Sequence, residues 1–97
     1  MRVIAKGPLR KFWKIHPDAE GPLKAWHAEA EEVNWRTPAD VKAYYRSASI
    51  LPGGRVVFNI GGNKYRLVGK INYAYQIVYV RFIGTHNDYD QIDAGEI

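Results

Sequence analysis

The stretch that decides the fold runs Val57-Phe-Asn-Ile-Gly-Gly-Asn-Lys-Tyr-Arg-Leu-Val68. Polar and apolar residues alternate on both sides of Gly61-Gly62-Asn63, and two alternating segments around a glycine-rich loop are typical of a β-hairpin. We therefore predict one strand over Arg55–Ile60 and a second strand over Lys64–Tyr73.

The second predicted strand carries two different sets of side chains. Successive residues of a strand point to opposite faces, so each set lies on one face. The apolar set, which should face a core, comprises Tyr65, Leu67, Gly69 and Ile71. The other set forms a basic face and comprises Lys64, Arg66, Val68 and Lys70. This face is either the solvated side of an amphipathic strand or a surface that binds a polyanion.

A third strand is predicted over Gln76–Ile83, which is dense in Val, Ile, Tyr and Phe. After it, Thr85 and Asp88 have the spacing of a capping box, which predicts a short turn of helix. Because His86 and Tyr89 are three residues apart, one helical turn places both side chains on the same side.

In the segments before the hairpin, the sequence pattern predicts helices and one more strand. A short β-branched run over Arg2–Ala5 reads as the strand. Apolar residues then recur at helical spacing from Pro8 to Ile15, from Leu23 to Val33 and from Thr37 to Tyr45. Asp18 is expected to cap the second helix. We predict a single α+β domain over residues 1–97, with N-terminal helices packed on a small antiparallel sheet and residues 93–97 as a flexible tail.

Composition narrows the classes of function. The 97 residues are 46% hydrophobic, enough for one modest core. Fourteen Lys and Arg against ten Asp and Glu give a net charge of +4, which favours a polyanion or an acidic protein as partner. The absence of cysteine excludes disulfides, thiolate zinc sites and thiol nucleophiles. No histidine spacing suits a metal and no apolar run suits a membrane span, so we expect no metal, cofactor or membrane and a cytoplasmic location.

Several residues could support chemistry on RNA. Cleavage without a metal needs a base for the 2′-hydroxyl, cations around the phosphate and a proton donor for the leaving oxygen. Arg66 can grip a phosphate with two hydrogen bonds, His86 carries an imidazole suited to proton transfer, and Tyr89 can donate a hydrogen bond or stack on a base. Weaker candidates for phosphate binding are Lys64, Lys70, Asn59 and Arg81. The competing interpretation is a surface histidine beside a tyrosine that only packs.

These residues resemble the HigB toxin family, RelE-superfamily mRNA interferases of bacterial type II toxin–antitoxin systems. The resemblance covers most of the chain and is strongest from Val57 to Asp90. The segments that carry it are Val57-Phe-Asn-Ile-Gly-Gly-Asn63, Arg66-Leu-Val68, Tyr79-Val-Arg81 and Thr85-His86-x-x-Tyr89-Asp90. It implies a RelE/ParE-like fold, with helices packed on an antiparallel sheet.

The resemblance also implies an activity and partners. Family members cleave mRNA during translation on the ribosome, and a cognate HigA-type antitoxin neutralises them. Through that antitoxin, the complex can bind operator DNA. The implied reaction is metal-independent endonuclease cleavage by attack of the 2′-hydroxyl.

Site residues follow from the same resemblance. Tyr65-Arg66-Leu67-Val68 matches the strand of the phosphate-binding arginine, and His86 and Tyr89 match the C-terminal site residues. Some relatives carry two lysines on the preceding strand, where this chain has Val57 and Asn59. The resemblance therefore implies that His86 acts as general acid or base, with Lys64 or Lys70 supplying charge.

Two other functions fit the same residues. One is a non-catalytic toxin of the same fold that binds a protein target such as gyrase. The other is a plain RNA-binding module, which explains the net charge of +4 but leaves His86 without a role.

Overall fold

Five strands and four helices make up the part of the chain that the computed structural model describes, residues 1–4 and 6–97. The strands are β1 (Arg2–Ile4), β2 (Ser49–Ile50), β3 (Arg55–Ile60), β4 (Tyr65–Asn72) and β5 (Ile77–Thr85). The helices are α1 (Lys6–Ile15), α2 (Glu20–Glu32), α3 (Pro38–Tyr44) and α4 (His86–Asp90), and 3₁₀ turns cover Pro17–Ala19 and Pro52–Gly54. The strand predicted over residues 2–5 is confirmed for Arg2–Ile4. Ala5 lies outside the described residues.

All five strands form one sheet in the order β1-β5-β4-β3-β2. The predicted meander of β3, β4 and β5 is confirmed as antiparallel. β1 pairs with β5 in parallel, so the sheet is mixed and not wholly antiparallel. Hairpin loops force neighbouring strands to run in opposite directions, whereas the helices that follow β1 leave its direction free.

The predicted α+β architecture is confirmed, with the core lying between the first three helices and one face of the sheet. Phe58 and Leu67 of the sheet and Leu9 and Leu23 of the helices are almost completely buried. The ring of Trp26 packs edge-on against Phe58 with 5.3 Å between centroids. Burying each such side chain stabilises the fold by ~1.5–3 kcal/mol. In the described part of the chain, no helix is both long and apolar enough to cross a membrane.

The β3–β4 hairpin sets which residues lie side by side on the sheet. Its loop contains Gly61 and Gly62 at φ of 63° and 70°, in the left-handed region that favours glycine. With this loop, Asn59 lies opposite Arg66, and Arg55 lies opposite Lys70. Both pairs lie on the face opposite the three N-terminal helices, which we call the open face.

The C-terminal segment covers the middle of the open face. Val57 and Val68 are buried there together with Ala94, and Tyr89 and Ile97 pack around them. In the segment predicted to be a flexible tail, residues 93–97, Ala94 and Ile97 contact the sheet. Left uncovered, the two adjacent valines would expose apolar area to water, which gives this segment a surface to bury.

Candidate functional site

Arg66 lies at the centre of the sheet, on the open face of β4. It pairs with Asn59 of β3 on one side and with Gly84 of β5 on the other. Its Nη1 donates hydrogen bonds to the main-chain oxygens of Asn63 at 3.1 Å and Tyr65 at 3.2 Å. These bonds hold the guanidinium near the hairpin loop, and no carboxylate of residues 1–4 and 6–97 forms an ion pair with it.

Gly84 lets α4 approach the sheet directly beside Arg66. A Cβ on Gly84 would lie 2.5 Å from Cζ of Phe82 and 3.1 Å from Cβ of Asp88. Both distances are shorter than normal contacts, so no larger residue fits without a shift of the helix or of Phe82. The glycine therefore brings α4 next to the arginine, a role that the sequence analysis did not assign to it.

His86 is the first residue of α4 and lies inside the predicted capping box. The hydroxyl of Thr85 accepts from the Asp88 N–H at 3.1 Å, and the Asp88 carboxylate accepts from the Thr85 N–H at 3.2 Å. The N–H of His86 donates to the main-chain oxygen of Lys64 at 3.2 Å. Its Nδ1 lies 3.8 Å from the Asp90 carboxylate, and its side chain is 54% exposed. The imidazole is thus anchored through its backbone and open to solvent.

Tyr89 packs against the sheet one helical turn after His86. Its ring lies 6.5 Å from that of Phe82, and it belongs to the cluster around Val57 and Val68. Packing, which was the competing interpretation, is therefore observed for this residue. Because Tyr89 is only partly buried, it also keeps an exposed part beside the site.

Lys64 turns away from Arg66, contrary to the expectation that both lie on one basic face. It precedes β4, and its Nζ forms an ion pair with Asp18 at 2.9 Å. Asp18 also accepts a hydrogen bond from the hydroxyl of Tyr65 and does not cap α2 as expected. The hydrogen bonds from Tyr65 and then Lys64 hold the pKa of Asp18 below its ordinary value. The bond to Asp18 in turn raises the pKa of Lys64.

Lys70 and Arg81 lie away from Arg66, beyond the covered valines. Together with Tyr79 they line a groove of about 640 Å³ whose other wall is the Pro52–Gly54 turn. Val68, on the same face between Arg66 and Lys70, is fully buried beneath the C-terminal segment. The predicted basic face is therefore divided into two parts.

The structure thus brings together four of the predicted residues and separates the other three. Arg66 and Asn59 lie in one row across the sheet, and His86 and Tyr89 lie on the helix that follows the neighbouring strand. The residues outside this group are Lys64, Lys70 and Arg81. Among the described residues, no group of three or more His, Cys, Asp or Glu side chains could hold a metal ion.

The long-range contacts of Asp18 and Arg55 were not predicted from the sequence. Asp18 orders the start of β4, and Arg55 donates from Nε to the main-chain oxygen of Ile97 at 2.7 Å. Both partners are more than 40 residues away in the chain, so no local pattern could pair them. The alternation of the hairpin does place Arg55 across from Lys70, which is the one available signal.

Comparison with known proteins relates this arrangement to one family. The chain matches, over residues 19–92, the model of the HigB toxin, described as the RelE-like toxic component of a toxin–antitoxin system. A relative named "mRNA interferase HigB" from Escherichia coli O6:H1 is 22% identical over 94 residues, which cover 95% of this chain and 91% of the relative. The "mRNA interferase toxin HigB" of Escherichia coli K12 is 27% identical over 92 residues, 93% of this chain and 88% of the relative.

Proposed function

Since the chain belongs to the HigB family of RelE-like toxins, we propose that it is a metal-independent endoribonuclease that cuts mRNA on translating ribosomes. The relatives that carry the name mRNA interferase support cleavage of mRNA. The observation that supports the site is the row of Asn59, Arg66 and Gly84 across the sheet, with α4 beside it.

The reaction is a transfer within the RNA strand. The 2′-oxygen attacks the adjacent phosphorus, and the bond from phosphorus to the 5′-oxygen breaks. A base takes the proton of the 2′-hydroxyl, and an acid gives a proton to the departing 5′-oxygen. The products are a 2′,3′-cyclic phosphate and a 5′-hydroxyl, so neither water nor a redox partner enters this step.

Arg66 stabilises the charge that develops on the phosphate. A guanidinium has five N–H donors, and the two hydrogen bonds to the hairpin use only Nη1. Nε and Nη2 can grip two phosphate oxygens in the planar geometry that arginine favours. Asn59, directly opposite, offers an amide to the same nucleotide.

His86 moves the proton, as acid or as base, and Tyr89 orients the nucleotide. A histidine side chain that is open to solvent can give or accept a proton at a nearby oxygen. The partly exposed ring of Tyr89 can stack on a base while Phe82 supports it from below.

The partners of this activity follow from the family. We propose that a HigA-type antitoxin neutralises the chain and connects it to operator DNA, and that the chain acts in the cytoplasm on ribosome-bound mRNA. The net charge of +4 suits approach to a ribosome, which is a polyanion.

Primer extension on an mRNA in a reconstituted translation reaction tests the proposal. The parent should cut within codons only when ribosomes are present, and His86→Ala should cut ~10²–10⁴ times more slowly. Exchange of the exposed Lys14 on α1 for Ala should leave the rate unchanged. An intact message during active translation would reject the nuclease and favour a protein target, which a gyrase supercoiling assay would then reveal.

A further inference from the structure

The groove beside Lys70 is lined by two cationic side chains, Lys70 and Arg81, and by two tyrosines, Tyr73 and Tyr79. Arg81 lies over the ring of Tyr79 at 5.7 Å from its centroid, and Lys70 pairs with Tyr79 across β4 and β5. Arg55 pairs with Lys70 from the other side. Within the described residues, neither Lys70 nor Arg81 forms an ion pair with a carboxylate, and no acidic residue lines the groove.

The glycines of the Pro52–Gly54 turn shape this groove. A Cβ on Gly53 would lie 2.7 Å from Nη1 of Arg55, and one on Gly54 would lie 2.8 Å from the main-chain oxygen of Ile71. Both glycines have positive φ, at 75° and 78°. The turn therefore packs tightly against the end of β4 and against the Arg55 guanidinium.

A second basic cavity, between α1 and α2, differs in its charge balance. It is lined by Arg10, Lys24 and His27. Lys24 lies 2.5 Å from Glu20 and His27 lies 3.2 Å from Glu31, so acidic neighbours accompany two of these three side chains. The Lys70 groove keeps its positive charge available to a ligand.

We propose that the Lys70 groove binds the sugar–phosphate backbone of single-stranded RNA a few nucleotides from the phosphate held by Arg66. Lys70 and Arg81 would contact phosphate, and Tyr79 would support a stacked base or ribose. The inference rests on the proposed function in one respect, because it takes Arg66 as the place where the same strand is cut.

The spacing along β4 sets the length of RNA that this requires. Arg66 and Lys70 are four residues apart on one face, which corresponds to ~13 Å in a strand. A stacked nucleic-acid strand advances ~3.4 Å per nucleotide, so about four nucleotides bridge the two sites. The strand would pass over the C-terminal segment that covers Val68.

RNA binding without cleavage tests the groove. The probe is a labelled single-stranded RNA whose 2′-hydroxyls are methylated, so that it cannot react, in lengths from about three to about eight nucleotides. For the parent, affinity measured by fluorescence anisotropy should rise with length. Lys70→Gln and Arg81→Gln should each weaken binding of the longest probe about tenfold at low salt and lower its salt slope by about 0.7.

Lys14→Gln provides the matched control, because Lys14 is exposed on α1, on the other side of the sheet, and should change neither quantity. Unchanged affinity in the double variant Lys70→Gln/Arg81→Gln would overturn the inference, as would a parent that binds no probe or shows no dependence on length. If the groove binds a protein partner instead of RNA, the double variant should bind the probe as tightly as the parent does. Cleavage during translation is measured separately, so the nuclease and the groove can fail independently.

Discussion

The N–H of His86 donates to the main-chain oxygen of Lys64 at 3.2 Å, while the side chain of Lys64 forms an ion pair with Asp18 at 2.9 Å. One residue thus links the 3₁₀ turn before α2 to the residue proposed to move the proton. The hydroxyl of Tyr65 reinforces the link by donating to the same carboxylate. The position of His86 therefore depends on a carboxylate far away in the chain.

Asp18 should make stability depend on pH in the acid range. The pKa of Asp18 in the folded protein lies below the ordinary value of 3.8. Its carboxylate therefore adds to the free energy of unfolding above pH 3.8, and this addition is lost as the pH falls through the pKa of the folded state. Asp18→Asn should be less stable than the parent near pH ~6, and the gap should narrow towards pH ~3. Urea unfolding across this range measures the gap, with exposed Glu32→Gln as control. A gap that stays constant with pH would show that the carboxylate's charge does not stabilise the fold.

Gly84→Ala should destabilise the protein and slow cleavage. The new methyl group would meet Phe82 and Asp88 and push α4 away from the sheet. Overpacking of this kind costs ~1–3 kcal/mol in the free energy of unfolding. Gly21→Ala in α2 is the matched control, since nothing lies within 4 Å of its Cβ and Pro22 offsets the helical preference of alanine, so the free energy of unfolding should change by less than ~1 kcal/mol. If both variants unfold at the same urea concentration, α4 does not depend on close approach at Gly84.

Arg66→Ala should lower the rate of cleavage by ~10²–10³, the usual loss for one well-placed stabiliser of developing charge. Arg66→Lys should recover part of the rate, because lysine keeps the charge but cannot bind two phosphate oxygens in the planar geometry. Initial rates in the translation assay give both values, and exposed Arg46→Ala controls for the loss of one positive charge. Cleavage by Arg66→Ala at the parent's rate would remove Arg66 from the site.

Deletion of residues 93–97 should destabilise the fold by ~1–3 kcal/mol. The deletion exposes Val57 and Val68 and removes the hydrogen bond between Arg55 and Ile97. The free energy of unfolding in urea measures the effect, and Ala94→Asp should reproduce part of it by placing a charge in the same cluster. An unchanged free energy would support the flexible tail expected from the sequence.

The features that could be predicted from sequence are those set by neighbouring residues. The hairpin at Gly61-Gly62, the meander and the capping box of Thr85 and Asp88 follow from alternation and fixed spacings, and all are confirmed. Asn59 and Arg66 could be placed together because the hairpin loop fixes their register.

The remaining features depend on contacts between distant parts of the chain. Alternation predicted that Lys64 would join Arg66, but the carboxylate of Asp18 attracts its ammonium instead. The alternation of side chains also placed Lys70 on the same face as Arg66. It did not indicate that the C-terminal segment buries Val68, which lies between them. The parallel pairing of β1 with β5 likewise left no local mark in the sequence.

Both edges of the sheet are formed by its shortest strands, since β1 has three residues and β2 has two. Of the longer strands, β4 is paired along its length on both sides, whereas β1 pairs with only Ile77–Tyr79 of β5 and β2 with only Val56 and Val57 of β3. Unpaired main-chain groups on a long edge strand act as templates on which further copies assemble into aggregates. Among the described residues, Arg81–Thr85 of β5 and Phe58–Ile60 of β3 have no strand partner on their outer side, so this fold keeps two short stretches to which a further strand can add when the protein is free of any partner.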